Sequence, residues 1–251
     1  MVKKLAEKIY KGKFDPTELD PFLLAATYKE LEESTSTGYG DDWKSFEPRH
    51  SATVNAVKEH LFIFSGAKTY QQLSEMNNAL VDAEGKIRNF REFQKEVLNI
   101  HSTYNKNYLQ AEYQTAKASG QMIRKWQTFQ DQRAMYPNLT YITVGDDKVR
   151  EDHRKLEGIT RSIDDIFWDL YYPPNGWRDR CGAKNTSNAE TPSGDIPIIE
   201  VTKGFEHNVG KTLQVFNEKS HPYFTIPKDE KEMVEKNLSK YRKSILKNGS
   251  K

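Results

Sequence analysis

Hydrophobic residues recur at helical spacing through the first half of the chain and lose that spacing after Pro137. Leu5 and Ile9 sit four apart in a short amphipathic helix that stops at Gly12. Glu18 to Glu33 reads as a second helix, with Pro21 in its first turn, where a missing N–H costs nothing. Ser34 to Asp42, with Gly38 and Gly40, reads as a loop. From Ser51, the residues Val54, Val57, Leu61 and Phe64 predict a third helix; Leu73, Met76 and Leu80 continue the pattern after a break near Ser65-Gly66. Asp82-Ala83-Glu84-Gly85 is a turn. Asn89, with Glu92 three residues on, then caps a long helix. Its stripe (Phe90, Phe93, Val97, Ile100, Tyr104, Tyr108, Ala111, Thr115) extends through Met122, Trp126 and Phe129. That is too long for one ordinary globular helix, so an interruption is expected near Ser102–Asn107 or Gly120, where helix propensity is poor.

Beyond Pro137 the pattern is one of short strands and loops. Leu139 to Val144 alternates as a half-buried strand does, Asp147 to Leu156 fits one short helix, and Gly194–Val201 and Thr212–Phe216 are strand candidates. Pro222-Tyr223-Phe224 closes this region. From Asp229 helical spacing returns: Val234, Leu238, Tyr241 and Ile245 form an apolar stripe. Lys236, Lys240, Lys243 and Lys247 form a second, basic one, and no acid follows Glu235. The predicted fold class is α+β: a helical N-terminal half, a small mixed α/β C-terminal domain and a terminal amphipathic basic helix. The expected divisions are 1–136, 137–227 and 228–251.

Composition narrows the class. At 251 residues the chain can bury a core without staples, yet 29% of it is charged and its mean hydropathy is -0.85, so much of it must stay wet. A net charge of +2 does not by itself call for nucleic acid. One cysteine forms no internal disulfide and points to a reducing compartment. No apolar run approaches a membrane span, and the two lysines near Met1 have no apolar signal core behind them, so a soluble, cytoplasmic setting without membrane contact is expected.

Candidate chemistry gathers between Tyr141 and Cys181. His153 with Asp146, Asp152 and Cys181 offers zinc-type ligands, although far apart in sequence; the structural alternative is a histidine that fixes a turn through a carboxylate. A His–Asp pair can serve acid–base work, and Cys181 could be a nucleophile, but only Arg178 and Arg180 stand near to lower its pKa; a packed thiol is the plainer reading. Asp164-Asp165 before Phe167-Trp168 reads as a helix start or turn with an aromatic anchor. Pro173-Pro174-Asn175-Gly176 is a turn that seats Trp177. Asp165, Trp168, Pro173, Pro174, Gly176 and Trp177 are therefore taken as a structural motif. Val209-Gly210-Lys211-Thr212 lacks the upstream glycine of a phosphate loop. The lysine stripe suits phosphate backbones or an acidic protein surface; its plain alternative is a solvated face.

These pieces, in their order and spacing, resemble the Mu F-like phage head-morphogenesis family, also called minor head or minor capsid proteins. The resemblance is carried by Tyr141–Arg150, by His153, Leu156 and Gly158, and by Asp165, Phe167-Trp168, Pro173–Trp177 and Arg180-Cys181. Phe64–Thr69, Tyr108–Tyr113 and His221–Phe224 are similar to the version found in phages and prophages of Bacteroides-like bacteria. The family pattern commonly ends in Cys-Arg-Cys, where this chain has Asp179-Arg180-Cys181; a carboxylate in place of a thiolate makes a softer-metal site weaker. The resemblance implies structural work rather than catalysis, with no obligatory cofactor and zinc as the candidate metal. It implies portal protein and major capsid protein as partners, double-stranded DNA as a further one, and a place in the virion, at the head interior or portal vertex, after assembly in the host cytoplasm. The rival from another class is a metal-dependent hydrolase or nuclease built on Asp146, Asp152, His153 and Cys181.

Overall fold

The computed structural model describes residues 1–40 and 48–248, and only the backbone of residues 48, 49, 247 and 248. The expected loop's Asp41 and Asp42 and the far end of the lysine tail, Lys251, lie outside the described residues, as does the side chain of Lys247. The helical half comprises α1 (Val2–Tyr10), α2 (Pro21–Tyr39), α3 (Pro48–Asn78), α4 (Phe90–Ser102) and α5 (Leu109–Gln132). The mixed part comprises β1 (Asn138–Ile142), α6 (Glu151–Lys155), β2 (Thr160–Ser162), α7 (Phe167–Tyr171), β3 (Gly182–Thr186) and α8 (Val209–Thr212), and α9 (Lys228–Asn248) ends the described chain. The fold is α+β, as the sequence predicts.

Two compact units divide the chain: residues 1–31, 61–112 and 223–251 form one, residues 32–60 and 113–222 the other. In the first unit, Leu5, Ala6 and Ile9 of α1 pack with Leu23, Leu73, Met76, Phe93 and Val97 as one apolar cluster. Helix α2 starts at Pro21 because the Asp20 carboxylate accepts from the backbone N–H groups of Phe22 and Leu23, both at 3.0 Å. Asn89 caps α4 by accepting from Glu92 N–H at 3.1 Å. The interruption of the long helix lies at Thr103–Tyr108, a single π-helical segment, and not at Gly120. Val234, Leu238 and Ile245 are the buried stripe of α9, while Lys236, Lys240 and Lys243 are exposed.

Four local expectations change, two of them because packing outweighs propensity. Helix α3 runs through Ser65-Gly66 without a break: Gly66 lies where a Cβ would strike the Leu238 side chain at 2.7 Å, so it is a packing glycine. Helix α2 continues to Tyr39 in place of a loop from Ser34. The reason is a close backbone crossing in the second unit. A Cβ on Gly38 would land on the Lys117 carbonyl, and one on Gly120 on the Thr35 carbonyl. Gly194–Val201 and Thr212–Phe216 form no strands. Ser193–Asp195 is a 3₁₀ turn, and Val209–Thr212 a helical turn capped by the Asn208 side chain and closed by Leu213 at φ 59°. The predicted helix 147–156 shrinks to α6.

The crossing makes a prediction. Gly120→Ala is expected to destabilise the second unit by about 1–3 kcal/mol through overpacking, although alanine gains roughly 1 kcal/mol of helix propensity. Urea unfolding followed by tryptophan fluorescence measures it, because Trp126, Trp168 and Trp177 all belong to this unit; an unchanged or raised midpoint would show that the helices can part freely.

The sheet of the second unit has the order β2-β1-β3, antiparallel throughout, with Leu139 opposite Arg161 on one side and Asn185 on the other. Its centre, β1, is a strand as expected but not a half-buried one, since Leu139, Thr140 and Tyr141 are buried in succession; its edges, Thr160–Ser162 and Gly182–Thr186, are short and polar and carry no period-two signal.

Candidate functional site

The segment from Pro173 to Cys181 positions the site. Pro173, Pro174, Asn175 and Gly176 are all buried, and the turn they make delivers Trp177 against Phe205, Phe216 and His221 with ring centroids 5.1, 5.5 and 5.7 Å away. Upstream, Asp165 accepts from Phe167 N–H at 2.7 Å just ahead of α7 and pairs with Arg161. That leaves Trp168 fully buried between Phe167 and Tyr172.

After Trp177 the chain passes Arg178 at φ 58° and leads through residues 179–181 into β3. Asp179 and Cys181, two apart, there meet His153 of α6. His153 Nδ1 lies 3.3 Å from Asp179 Oδ1 and 3.5 Å from Cys181 Sγ. Both the histidine and the aspartate are 6% exposed. Among the described residues one group of His, Cys and carboxylate ligands comes together closely enough for a metal ion: His153, Asp179 and Cys181, their ligand atoms all within 4.8 Å of one another.

The surroundings hold the carboxylate in place. Asn175 N–H donates to Asp179 Oδ2 at 2.7 Å and Cys181 N–H to Oδ1 at 2.9 Å, while Tyr141 donates its hydroxyl to Asn175 Oδ1 at 3.1 Å. Burial opposes ionisation of Asp179, but the hydrogen bond and charge of His153 and the Asn175 N–H outweigh it and hold the carboxyl down to about 2. Burial, and then the Asp179 charge, push the Cys181 thiol and the Tyr141 phenol upward. In this state Cys181 is a thiol with little nucleophilic character.

Asp146 and Asp152, sequence neighbours of His153, do not join the group. Asp146 makes a two-pronged pair with Arg180, 2.7 Å on each arm, whose hydrogen bond lowers the Asp146 pKa; Asp152 pairs with Lys155 at 2.9 Å. A carboxylate one residue before His153 projects from a different side of α6. Asp179, which stands where the family pattern has a cysteine, is the carboxylate that arrives.

The group opens into a cavity of about 720 Å³, whose wall includes Lys117, Lys148, Arg150, Arg178 and Trp177. Arg150 donates to the Trp177 carbonyl at 2.6 Å, tying α6 to the turn.

The fold and site define a class: a helical protein carrying a small three-stranded domain organised by a buried aromatic turn and a His–Asp–Cys cluster. Residues 74–184, which take in that whole cluster, match the family described as Phage Mu protein F like protein. The putative capsid assembly protein F of Escherichia phage Mu is 32% identical over 110 residues, 44% of this chain and 23% of that protein. The Mu-like prophage FluMu F protein of Haemophilus influenzae is 28% identical over 87 residues, 31% of this chain and 21% of that protein. The chain thus spans less than a quarter of the length of these curated relatives. Phe64–Thr69 and His221–Phe224 lie outside the matched span. No solved structure matches the chain.

Proposed function

We propose that this chain is a minor head protein of a tailed phage or prophage, acting in head assembly, packaging or ejection as a docking component and not as an enzyme. One observation carries the reading: the Mu F-like span includes the aromatic turn and the His153 site, and a relative across it is named a capsid assembly protein. In this reading residues 1–136 offer helical surface to the portal and major capsid proteins. Residues 137–227 form the shaped docking module, and 228–251 contribute a basic helix. The protein then resides in the virion, at the head interior or portal vertex, of a phage or prophage of Bacteroides-like hosts. No helix among the described residues is long and apolar enough to cross a membrane. Co-expression with portal protein tests the reading: the chain should co-purify with portal rings, and recovery of portal free of it at every salt concentration would count against docking.

The basic helix extends the proposal to DNA. Lys236, Lys240 and Lys243 stand exposed on one face of α9, and the helix backbone places Lys247 one step further along that stripe. Retardation of duplex DNA is expected at low salt, with log affinity falling against log salt with a slope of about −3 to −4 if all four lysines meet phosphates. Changing the four to glutamine should abolish retardation; retention of binding by that variant would move DNA contact elsewhere.

The rival, a metal-dependent hydrolase or nuclease, is supported by one feature, the opening of the His153 group into the cavity. Asp146 and Asp152, its expected carboxylates, are engaged in surface ion pairs. DNA cleavage by purified protein, lost in His153→Ala with the fold intact, would favour this rival.

A further inference from the structure

We propose that His153 Nδ1, Asp179 Oδ1 and Cys181 Sγ form a tetrahedral site for a zinc-class divalent ion, with the fourth position open to the cavity. The argument is geometric. With zinc bonds of about 2.05 Å to nitrogen, 2.1 Å to carboxylate oxygen and 2.3 Å to sulfur, a tetrahedron has N···O and N···S edges of about 3.4 and 3.6 Å. The corresponding distances are 3.3 and 3.5 Å.

Without a metal, Asp179 accepts side-chain hydrogen bonds from both His153 and Cys181. One ring nitrogen faces both the carboxylate oxygen and the sulfur. A cation placed between the three takes the place of those hydrogen bonds: neutral imidazole, carboxylate and thiolate each present a lone pair, and the two negative charges balance the ion. On binding, the thiol proton leaves to solvent and the sulfur becomes a thiolate.

The supporting groups suit a metal. Asn175 N–H holds the second oxygen of Asp179, so that Oδ1 is aimed inward. The Tyr141 hydroxyl donates to Asn175 Oδ1 and so braces the residue whose N–H holds Asp179. His153, Asp179 and Cys181 all line the cavity, which gives the ion a route in and leaves room for water or another small ligand at the fourth position. The ion would tie α6 to the segment leading into β3, two pieces 28 residues apart in sequence at Cys181 and His153.

This inference does not rest on the head-protein reading, and either can fail alone. The test uses the full chain, stripped with chelator, reloaded with Zn²⁺ and passed through gel filtration before elemental analysis. Equimolar zinc is expected, with a raised thermal midpoint. Co²⁺ loading should give intense tetrahedral visible bands and a near-ultraviolet sulfur-to-metal band. Cys181→Ser and Asp179→Asn should each weaken zinc binding at least tenfold, and Cys181→Ser should erase the sulfur band. Asp146→Asn, which alters the surface pair with Arg180 and the turn bond from Lys148 N–H but no atom of the group, should bind as the unaltered chain does. Asp179→Cys, which adds a second thiolate, should bind zinc more tightly, and it keeps the test informative if another variant fails to fold. Sub-stoichiometric zinc after gel filtration, weak octahedral cobalt bands, or equal losses from Asp146→Asn and Asp179→Asn would each overturn the assignment.

Discussion

Lys68→Met is expected to destabilise the first unit by about 3–5 kcal/mol at neutral pH, the cost of leaving a buried charge without its partner. Lys68 is fully buried, its ammonium 2.5 Å from Glu112 Oε2. The Tyr223 hydroxyl donates to the other Glu112 oxygen at 3.0 Å, and Tyr223 stacks on Tyr104, whose hydroxyl donates to Glu75 at 2.7 Å. Burial pushes the Lys68 pKa down and the Glu112 pKa up, against the attraction between them. Without Lys68 only burial and the tyrosine remain, so the carboxyl rises further. A folded-state pKa above the unfolded value means that the folded variant takes up the proton first. The variant's deficit relative to the parent should therefore shrink as pH falls from 7.5 toward 5. Adding Glu112→Gln should recover part of the loss at pH 7.5, because the amide oxygen still accepts from Tyr223. Urea denaturation followed by circular dichroism reads all of this. A deficit below about 1 kcal/mol that does not vary with pH would mean that the pair is solvated and contributes as a surface bridge does.

Acid should weaken the second unit through its buried histidines. His60 accepts from Val215 N–H at Nδ1, 3.1 Å, and donates from Nε2 to the Phe216 carbonyl at 3.0 Å, which fixes a neutral tautomer. Protonation would set Nδ1–H against the Val215 N–H. Burial, then repulsion from His207, lowers the His60 pKa to about 3; burial lowers that of His207 to about 4. Glu218 stands 3.8 Å from His60 but is 37% exposed, and its pull does not offset the burial. Both folded values lie below the ordinary 6.5, so the unfolded chain binds protons first, and this stability is lost as pH falls from 6.5 toward the folded values. At pH 5 the two histidines together should have cost on the order of 4 kcal/mol. Tryptophan-monitored urea unfolding at pH 7.5, 6 and 5 measures the slope. His60→Gln, whose amide can reproduce both hydrogen bonds, should roughly halve it; an undiminished slope would place the titration elsewhere.

The candidate site shows where sequence reading stops. His153 and Cys181 are visible as ligand types, and the nearest carboxylates along the chain are Asp146 and Asp152. Nearness along a chain is a poor guide to nearness in space, and each of those carboxylates finds a cation on the surface instead. Asp179 carries a legible signal, since its i, i+2 spacing to Cys181 is the one that puts two side chains on one side wherever a chain is extended. That the side faces His153 depends on the buried turn at Pro173–Gly176 and the anchoring of Trp177. Nothing in the sequence reports that closure. The edge strands of the sheet are missing for a related reason: Thr160–Ser162 and Gly182–Thr186 exist because β1 offers them a ladder, and their own residues have no preference to show.

The sequence alone determined the helical half, its cap at Asn89 and the stop of α1 near Gly12, the interruption near Thr103, the central strand, the two stripes of α9 and the Mu F-like signature. Each follows from periodicity, from a side chain acting on its own backbone, or from local residue order. Tertiary structure alone decided that Gly38, Gly66 and Gly120 allow close packing and do not break helices, and that Lys68 and Glu112 meet as a buried pair. It also decided that Asp179, not Asp146, completes the group around His153. Those outcomes depend on which surfaces meet across distant parts of the chain, and only the packed three-dimensional arrangement contains that information.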